Sequence, residues 1–301
     1  GGMRAMFILA GLVALASMPL LLPSYQLGIA SEILIFSVLA MSVNLLAGYA
    51  GRTPLCHGAI FGTSTYVVII AAAAGVPVWA ACLLGVAAAG GLSVVFGIIA
   101  VRTSGVYFLL LTLALGLIIW GICLRWTGVT GGENGLRGDL RHGWLADPRR
   151  LYWLILGVGA VLTFAMWRLV RSPFGLTLRA IKDSPSRMAA LGHNVPAHLF
   201  AAFVASGLFA GAAGALYALF NDFVSPTTVA LPQSVEGLLM AIVGGVGSIL
   251  GGLVGAFVLI ALEQFVSAYT ERWLSVLGLT AIAIMLFAPQ GLLGLLKRKS
   301  T

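Results

Sequence analysis

Between Arg52 and Arg102 the chain carries no Asp, Glu, Lys or Arg at all. Glycine, alanine and branched aliphatic residues dominate that interval, and similar runs recur along the 301 residues. A helix needs about 20 consecutive apolar residues to cross a bilayer. A soluble core can hide one or two such runs, but not this many. Composition agrees: 9% of residues are charged and 60% are hydrophobic, whereas a soluble domain carries about 25% charged residues to face water. Most of the surface is therefore suited to lipid. The expected fold class is all-α, a polytopic membrane helix bundle forming a single domain over residues 1–301.

The apolar runs place about ten spans, near 5–22, 29–48, 58–75, 77–100, 105–124, 151–170, 198–220, 235–248, 249–267 and 273–293. The eighth is short. The string "IVGGVGSILGG" divides it from the ninth as a turn or broken helix, and one long span over 235–267 is the competing reading. Arg4, an apolar run and the small residues Ala14–Ala16 could pass for a secretory leader. The run continues to Leu22, which favours an uncleaved first span.

Charge sets the sides. Lys and Arg accumulate in cytoplasmic loops. With Ser172–Val195 inside, alternation puts Arg4, Arg52 and Arg102 inside too, and ten spans bring Lys297–Lys299 to the same side. Both termini are thus expected in the cytoplasm. The loop 125–150 is expected outside although it holds Arg125, Arg137, Arg141, Arg149 and Arg150. The net charge of +8 is scattered at the ends of apolar runs and forms no aromatic-interleaved patch. It therefore fits a membrane and not a nucleic acid.

No catalytic constellation appears. A phosphate-binding loop needs glycine immediately before its lysine, and Lys182, Lys297 and Lys299 follow Ile181, Leu296 and Arg298. HExxH, GxSxG and paired-carboxylate motifs are missing. Cys56, Cys82 and Cys123 form no CxxC pair or metal spacing and read as small membrane-buried residues. Of the histidines, His57 follows a polar break and is a candidate to line a pathway, while His142, His193 and His198 fall in or beside loops. Ion-coupled carriers keep ionisable residues inside the membrane. Glu32 and Glu263 are the candidates here, and Glu32 lies so near its span's start that an interfacial place is expected. Gly207-x-x-x-Gly211 and Gly251-x-x-x-Gly255 put small residues on one face, which permits close helix packing.

One polar island interrupts the apolar chain: "SPFGLTLRAIKDSPSRMAALGHNV", Ser172–Val195, with Arg179, Lys182, Asp183 and Arg187. Ser184 suits an N-cap, Pro185 the first helical position and Gly192 the left-handed position past the end. A helix over Pro185–Leu191 follows, with Met188 and Leu191 on one face. Upstream, Phe174, Leu178 and Ile181 share a face at i, i+4, i+7, with Thr177 and Lys182 turned away from it. Two short amphipathic helices suit docking into a partner's groove; a solvated linker at the lipid surface is the alternative.

These residues carry a resemblance. The island resembles the cytoplasmic coupling loop of ABC importer permeases, and the chain as a whole resembles branched-chain amino-acid permeases of the LivM type. The matching stretches are "MSVNLLAGYAGRTPLCHGAIFGTSTY" (41–66), "RTSGVYFLLLTLALG" (102–116), "WTGVTGGENGL" (126–136), the island itself and "AIVGGVGSILGGLVGAF" (241–257). "AALG" at Ala189–Gly192 is loosely similar to the EAA-type coupling motif, with Met188 in place of an acidic residue.

The resemblance implies an importer subunit working by alternating access in a bacterial inner membrane. It implies a second homologous permease subunit, two cytoplasmic ATPase subunits that bind ATP and Mg, and a periplasmic or lipid-anchored substrate-binding protein. No cofactor and no catalysis are expected in this chain. Leucine, isoleucine and valine are the usual substrates. A permease for urea or short amides, an ion-coupled secondary carrier and a passive channel are the alternatives. The expected coupling residues are Ser184, Pro185, Arg187, Met188, Ala189, Ala190, Leu191 and Gly192.

Two glycine-rich interruptions, "AGYAGRTPLCHG" and "VGGVGSILGG", qualify as broken helices facing a substrate carboxylate near the midplane. The candidate pathway residues are Asn44, His57, Ser64, Thr112, Gly244 and Gly245. For the four polar side chains a helix-packing hydrogen bond is the competing reading. "TGGENG", Thr130–Gly135, reads as a loop turn. The loop 125–150 is the candidate surface for the binding protein, with a structural lid as its alternative.

Overall fold

A computed structural model describes Gly11, residues 14–270 and 272–287, and Gly291 and Leu292. Arg4, Lys297–Lys299 and the two termini lie outside the described residues. The helices are α1 Ser24–Asn44, α2 His57–Ala73, α3 Val78–Ala100, α4 Gly105–Arg125, α5 Pro148–Arg171, α6 Pro173–Asp183, α7 Pro185–Ala190, α8 Val195–Asn221, α9 Leu231–Gly244, α10 Ile249–Ser267 and α11 Trp273–Phe287. A further helical stretch covers residues 14–21. The chain is an all-α polytopic bundle, with six helical segments long and apolar enough to span a membrane among the described residues.

Short contacts sort the connections between helices into two ends. Lys182 with Gly48, Arg52 with Thr103, and Asn44 with Gly247 and Ser248 share one end, here called the island end. Tyr25 with Gln264 shares the other, the loop end, where β1 (Leu136–Arg137) also pairs antiparallel with β2 (Phe223–Val224). The side-chain caps lie between Asp147 and Asn194. Asp147, Ser172, Ser184 and Asn194 accept from the backbone of Arg149, Gly175, Arg187 and Ala197 and so start α5, α6, α7 and α8. Pro148, Pro173 and Pro185 follow three of these caps at the position where a missing N–H costs nothing.

The core is α1, α2 and α8, surrounded by α3, α5, α9 and α10. Burial inside a membrane bundle brings no hydrophobic gain over lipid, so close approach and hydrogen bonds must hold it. The contacts reflect this. Gly207 abuts Ser93 and Gly211 abuts Ala89, bringing α8 against α3. Ser64 Oγ donates to the Gly211 carbonyl at 2.7 Å and Thr65 Oγ1 to the Gly214 carbonyl at 2.9 Å, joining α2 to α8. Gly255 of the other small-residue pair meets the Met240 carbonyl. Both small-residue pairs serve packing, as their spacing indicates.

The eighth and ninth spans are separate helices. Residues 245–248 leave helical geometry, with Gly245 at φ +122° and Gly247 at φ +85°, so a single span over 235–267 is not what forms. The short eighth span, α9, has 14 residues, about 21 Å at 1.5 Å per residue. The preceding connection makes up the missing length by entering the bundle. Its Pro226–Val229 turn buries Thr228 and Val229 against Gly62 of α2, and Ser234 Oγ accepts from Gly58 N at 2.9 Å.

Candidate functional site

The site begins where α1 fails to stop cleanly. After Asn44 the helix widens into a π segment, Leu45–Ala50, and ends at Gly51 with φ +69°. Single π turns are rare and often lie at functional sites. Together α1 and this segment run 27 residues, about 40 Å at 1.5 Å per residue. That exceeds the roughly 30 Å hydrocarbon core, so Gly48–Gly51 lies at the island end.

Residues 51–56 then turn back into the bundle without helical structure, and α2 begins at His57. His57 Nε2 lies 2.6 Å from Ser206 Oγ, near the middle of α8. Non-helical backbone at membrane depth persists only where protein groups satisfy it. Here Thr112 Oγ1 accepts from Leu55 N at 3.0 Å, and Arg52 N donates to the Leu46 carbonyl at 2.9 Å. The Arg52 side chain turns to the Thr103 carbonyl and sits 5.8 Å from the Phe108 ring centre. Partial burial lowers the Arg52 pKa, but guanidinium stays charged at any physiological pH.

The second interruption meets the first. Asn44 Oδ1 accepts from Gly247 N at 2.8 Å, and Asn44 Nδ2 donates to the Ser248 carbonyl at 2.7 Å. A reversed amide would set oxygen against oxygen and N–H against N–H, so these partners fix its orientation. A methyl group on Gly48 would collide with the Gly247 amide and come 2.8 Å from Gly247 Cα. The two breaks are therefore one contiguous structure, and it lies toward the island end. Asn44, the last residue of α1, holds the second break there.

The island closes this structure from outside. Leu178 and Ile181 bury one face of α6, with Phe174 half-buried, as the stripe predicts. Three-residue spacing aligns Arg179 and Lys182 on an adjacent face. Lys182 Nζ donates to the Gly48 carbonyl at 2.9 Å, and the Arg179 guanidinium lies 4.7 Å from the Tyr49 ring centre. A cation at the negative end of a helix contributes ~0.3–1 kcal/mol at an exposed position, and a cation over an aromatic face a similar amount. Lys182 does leave the apolar stripe, but it reaches back to the π segment.

In α7 the capping residues stand as read: Ser184 accepts from Arg187 N, Pro185 opens the helix and Gly192 has φ +88°. Met188 and Leu191 differ in burial. The helix ends at Ala190, Met188 is 9% exposed and Leu191 is 69% exposed. Met188 anchors α7 to the bundle, while Leu191, Arg187, Ala189 and Ala190 face outward.

The six pathway candidates fall into two groups. Asn44, Gly244 and Gly245 belong to the joined breaks. His57, Ser64 and Thr112 line the inward path of 51–56 and the α2–α8 contact. All six are buried, and each of the four polar side chains is hydrogen-bonded within the chain. His57 Nδ1 has no partner among the described residues. Sequence reasoning missed Ser206, Ser234, Arg179 and Lys182 as partners; only the 179/182 spacing hinted at any of them.

At the loop end, Thr130–Gly135 is a turn with positive φ at Gly131, Gly132 and Gly135, as read. The 125–150 segment is pinned to 219–225: Asp222 Oδ1 accepts from Leu140 N at 3.1 Å, and Arg141 donates to the Phe220 carbonyl. Glu32, the ninth residue of α1, borders a cleft of about 350 Å³ at this end with Arg141, Tyr25 and Gln264.

A bundle with broken helices joined beneath a capped polar island defines a multi-pass membrane transport subunit. Comparison with known proteins gives its family. A family model described as branched-chain amino acid transport system / permease component matches residues 25–288, and the chain belongs to that family. It is similar to the high-affinity branched-chain amino acid transport system permease protein LivM of Salmonella typhimurium, 26% identical over 96% of this chain and 75% of that protein. LivM of Escherichia coli is 25% identical over the same shares. A probable branched-chain amino acid transport permease protein LivH of Methanocaldococcus jannaschii is 29% identical over 42% of each chain. No solved structure matches. The protein is thus a multi-pass inner-membrane permease of the LivM type, a membrane subunit of an ABC importer.

Proposed function

We propose that this permease carries branched-chain amino acids by alternating access, driven by two cytoplasmic ATPase subunits, one of which docks at Ser172–Val195. A second, related permease subunit completes the path, and a periplasmic or lipid-anchored binding protein delivers substrate at the loop end. ATP and Mg bind in the ATPases. The carrying observation is the island's two-sided construction. Leu178, Ile181 and Met188 fasten it to the bundle, whereas Leu176 and Leu191, 59% and 69% exposed, point away. A helix pair seated on one face, with two exposed leucines among charged side chains on the other, suits a groove in a partner. The names of the LivM relatives supply the substrate class. The comparisons favour this importer over an ion-coupled carrier.

The test is co-purification followed by ATP-driven uptake in proteoliposomes, with leucine, valine, other amino acids and urea as substrates. Leu176→Arg with Leu191→Arg changes only exposed positions. It should release the ATPase subunits and abolish uptake while the bundle remains folded. Retained ATPase and undiminished leucine uptake in that variant would overturn the coupling assignment. Uptake of urea in preference to leucine would overturn the substrate.

A further inference from the structure

The joined breaks and the island are linked by a contiguous set of contacts, hydrogen bonds at both ends and a close backbone approach between them. Lys182 on α6 holds the last free carbonyls of the π segment through Gly48. Gly48 packs directly on Gly247. Asn44, one turn before Gly48, holds Gly247 and Ser248 with both ends of its amide. Three segments far apart in sequence, around 44–51, 179–182 and 245–248, therefore share one small volume at the island end.

We propose that Lys182 and Asn44 form a transmission linkage that makes the two glycine breaks move with the island as one body. Asn44 and Lys182 are then positioning residues for translocation, and neither contacts substrate. This rests on the coupling role proposed above for Ser172–Val195.

Three observations carry it. First, the contacts attach to places where the backbone can change shape. The π segment leaves its terminal carbonyls without intrahelical partners, and Gly245 and Gly247 hold positive φ angles that need no side-chain rearrangement to alter. Hinges are built from such element-terminal residues. Second, Asn44 is buried at 1% exposure with both polar atoms engaged on the second break, which leaves its amide no open face toward a substrate. Third, Lys182 crosses from island to bundle by a charged hydrogen bond, beside the contact of Arg179 with Tyr49. Leu178 and Ile181 provide apolar seating that can slide, but the ammonium fixes register with one carbonyl. Signals between sites need a contiguous element with two arrangements that both sites bias. The end of α1 with its π segment, bonded to α6 through Gly48 and to 245–248 through Asn44, meets the first half of that requirement.

The experiment uses the assembled transporter in nanodiscs, with Cys56, Cys82 and Cys123 replaced by alanine. Spin labels go on His193→Cys, in the island, or Val246→Cys, in the second break. Each is paired with Trp144→Cys at the loop end. Electron-resonance distances are compared between nucleotide-free and vanadate-trapped complexes, alongside uptake per ATP hydrolysed. In the unmodified linkage both distances change together. In Lys182→Met the His193 distance should still change while the Val246 distance does not, and uptake per ATP should fall by about tenfold, within the usual 5–150-fold range of coupling between sites. Lys182→Arg, which can still donate to the Gly48 carbonyl, should restore both.

A Val246 distance that changes in Lys182→Met as it does with lysine overturns the linkage. A purely structural role would lower assembly, uptake and ATP hydrolysis together and leave their ratio unchanged, which also overturns it. If the His193 distance ignores nucleotide with the linkage intact, the coupling reading itself fails, and that outcome is distinct from the first two. Lys182 is exposed, so its variants keep the test decisive if Asn44→Ala does not fold.

Discussion

Gly48 and Gly247 meet backbone to backbone, although 199 residues of chain separate them. The carbonyl of Gly48 also accepts from Lys182, and the amide of Gly247 donates to Asn44. Glycine on both sides is what lets the π segment and the second break share one layer.

Gly48→Ala is therefore expected to damage the permease more than a buried alanine normally would. Its methyl would collide with the Asn44 amide oxygen and the Gly247 backbone. Overpacking typically costs ~1–3 kcal/mol, and here relief requires parting the two breaks. Thermal unfolding in detergent should shift down, and uptake should fall even in the folded fraction. A variant with unchanged melting and uptake would show that the breaks separate freely.

His57 and Ser206 tie the first residue of α2 to the middle of α8 at 2.6 Å. Ser206→Ala leaves the buried imidazole without that partner, a loss of ~1–3 kcal/mol. His57→Phe with Ser206→Ala removes both polar partners, so the double variant should be more stable than the sum of the single losses indicates. A double-mutant cycle of unfolding free energies measures this, with a coupling of about 0.5–1.5 kcal/mol expected. Additive losses would mean the contact contributes nothing.

Most spans were legible because each is a run of apolar residues whose ends are marked by charge, proline or a cap. The capped start of α7 was readable for the same reason: Ser184, Pro185 and Gly192 act on their own neighbourhood. What stayed hidden depends on distance in the chain. No local pattern pairs Lys182 with Gly48 or Asn44 with Gly247, and the π widening at Leu45–Ala50 leaves no mark in composition. Nor could spacing alone tell that Met188 is buried while Leu191 is exposed, because burial depends on which other element packs there.

Asp222 gives a test at the loop end. It holds φ +53° with a side chain, and its carboxylate and carbonyl accept from Leu140 N and Gly138 N. Asp222→Ala loses the carboxylate bond and keeps the left-handed strain, about 1–2 kcal/mol for an ordinary residue. Asp222→Asn keeps an acceptor and tolerates that geometry. Limited proteolysis should therefore cut 138–147 faster in the alanine variant and at the original rate in the asparagine variant. Equal cutting in all three would mean that the loop is held elsewhere.

The last expectation concerns the island's own rigidity. α7 is only six residues long, too short to persist without its ends. Ser184→Ala removes the cap, at about 1 kcal/mol. Gly192→Ala places a side chain at φ +88°, at ~1–2 kcal/mol. Neither change touches the outward Leu191 or the inward Met188, so both surfaces remain chemically intact while the helix between them frays. Amide exchange over 188–192 should speed up in either variant, most in the double variant, and leave α8 unaffected. If α7 must be a preformed element, ATP-driven uptake should fall in the same order as protection is lost. If uptake holds while exchange accelerates, α7 folds on contact with its partner, and rigidity resides in α6 alone.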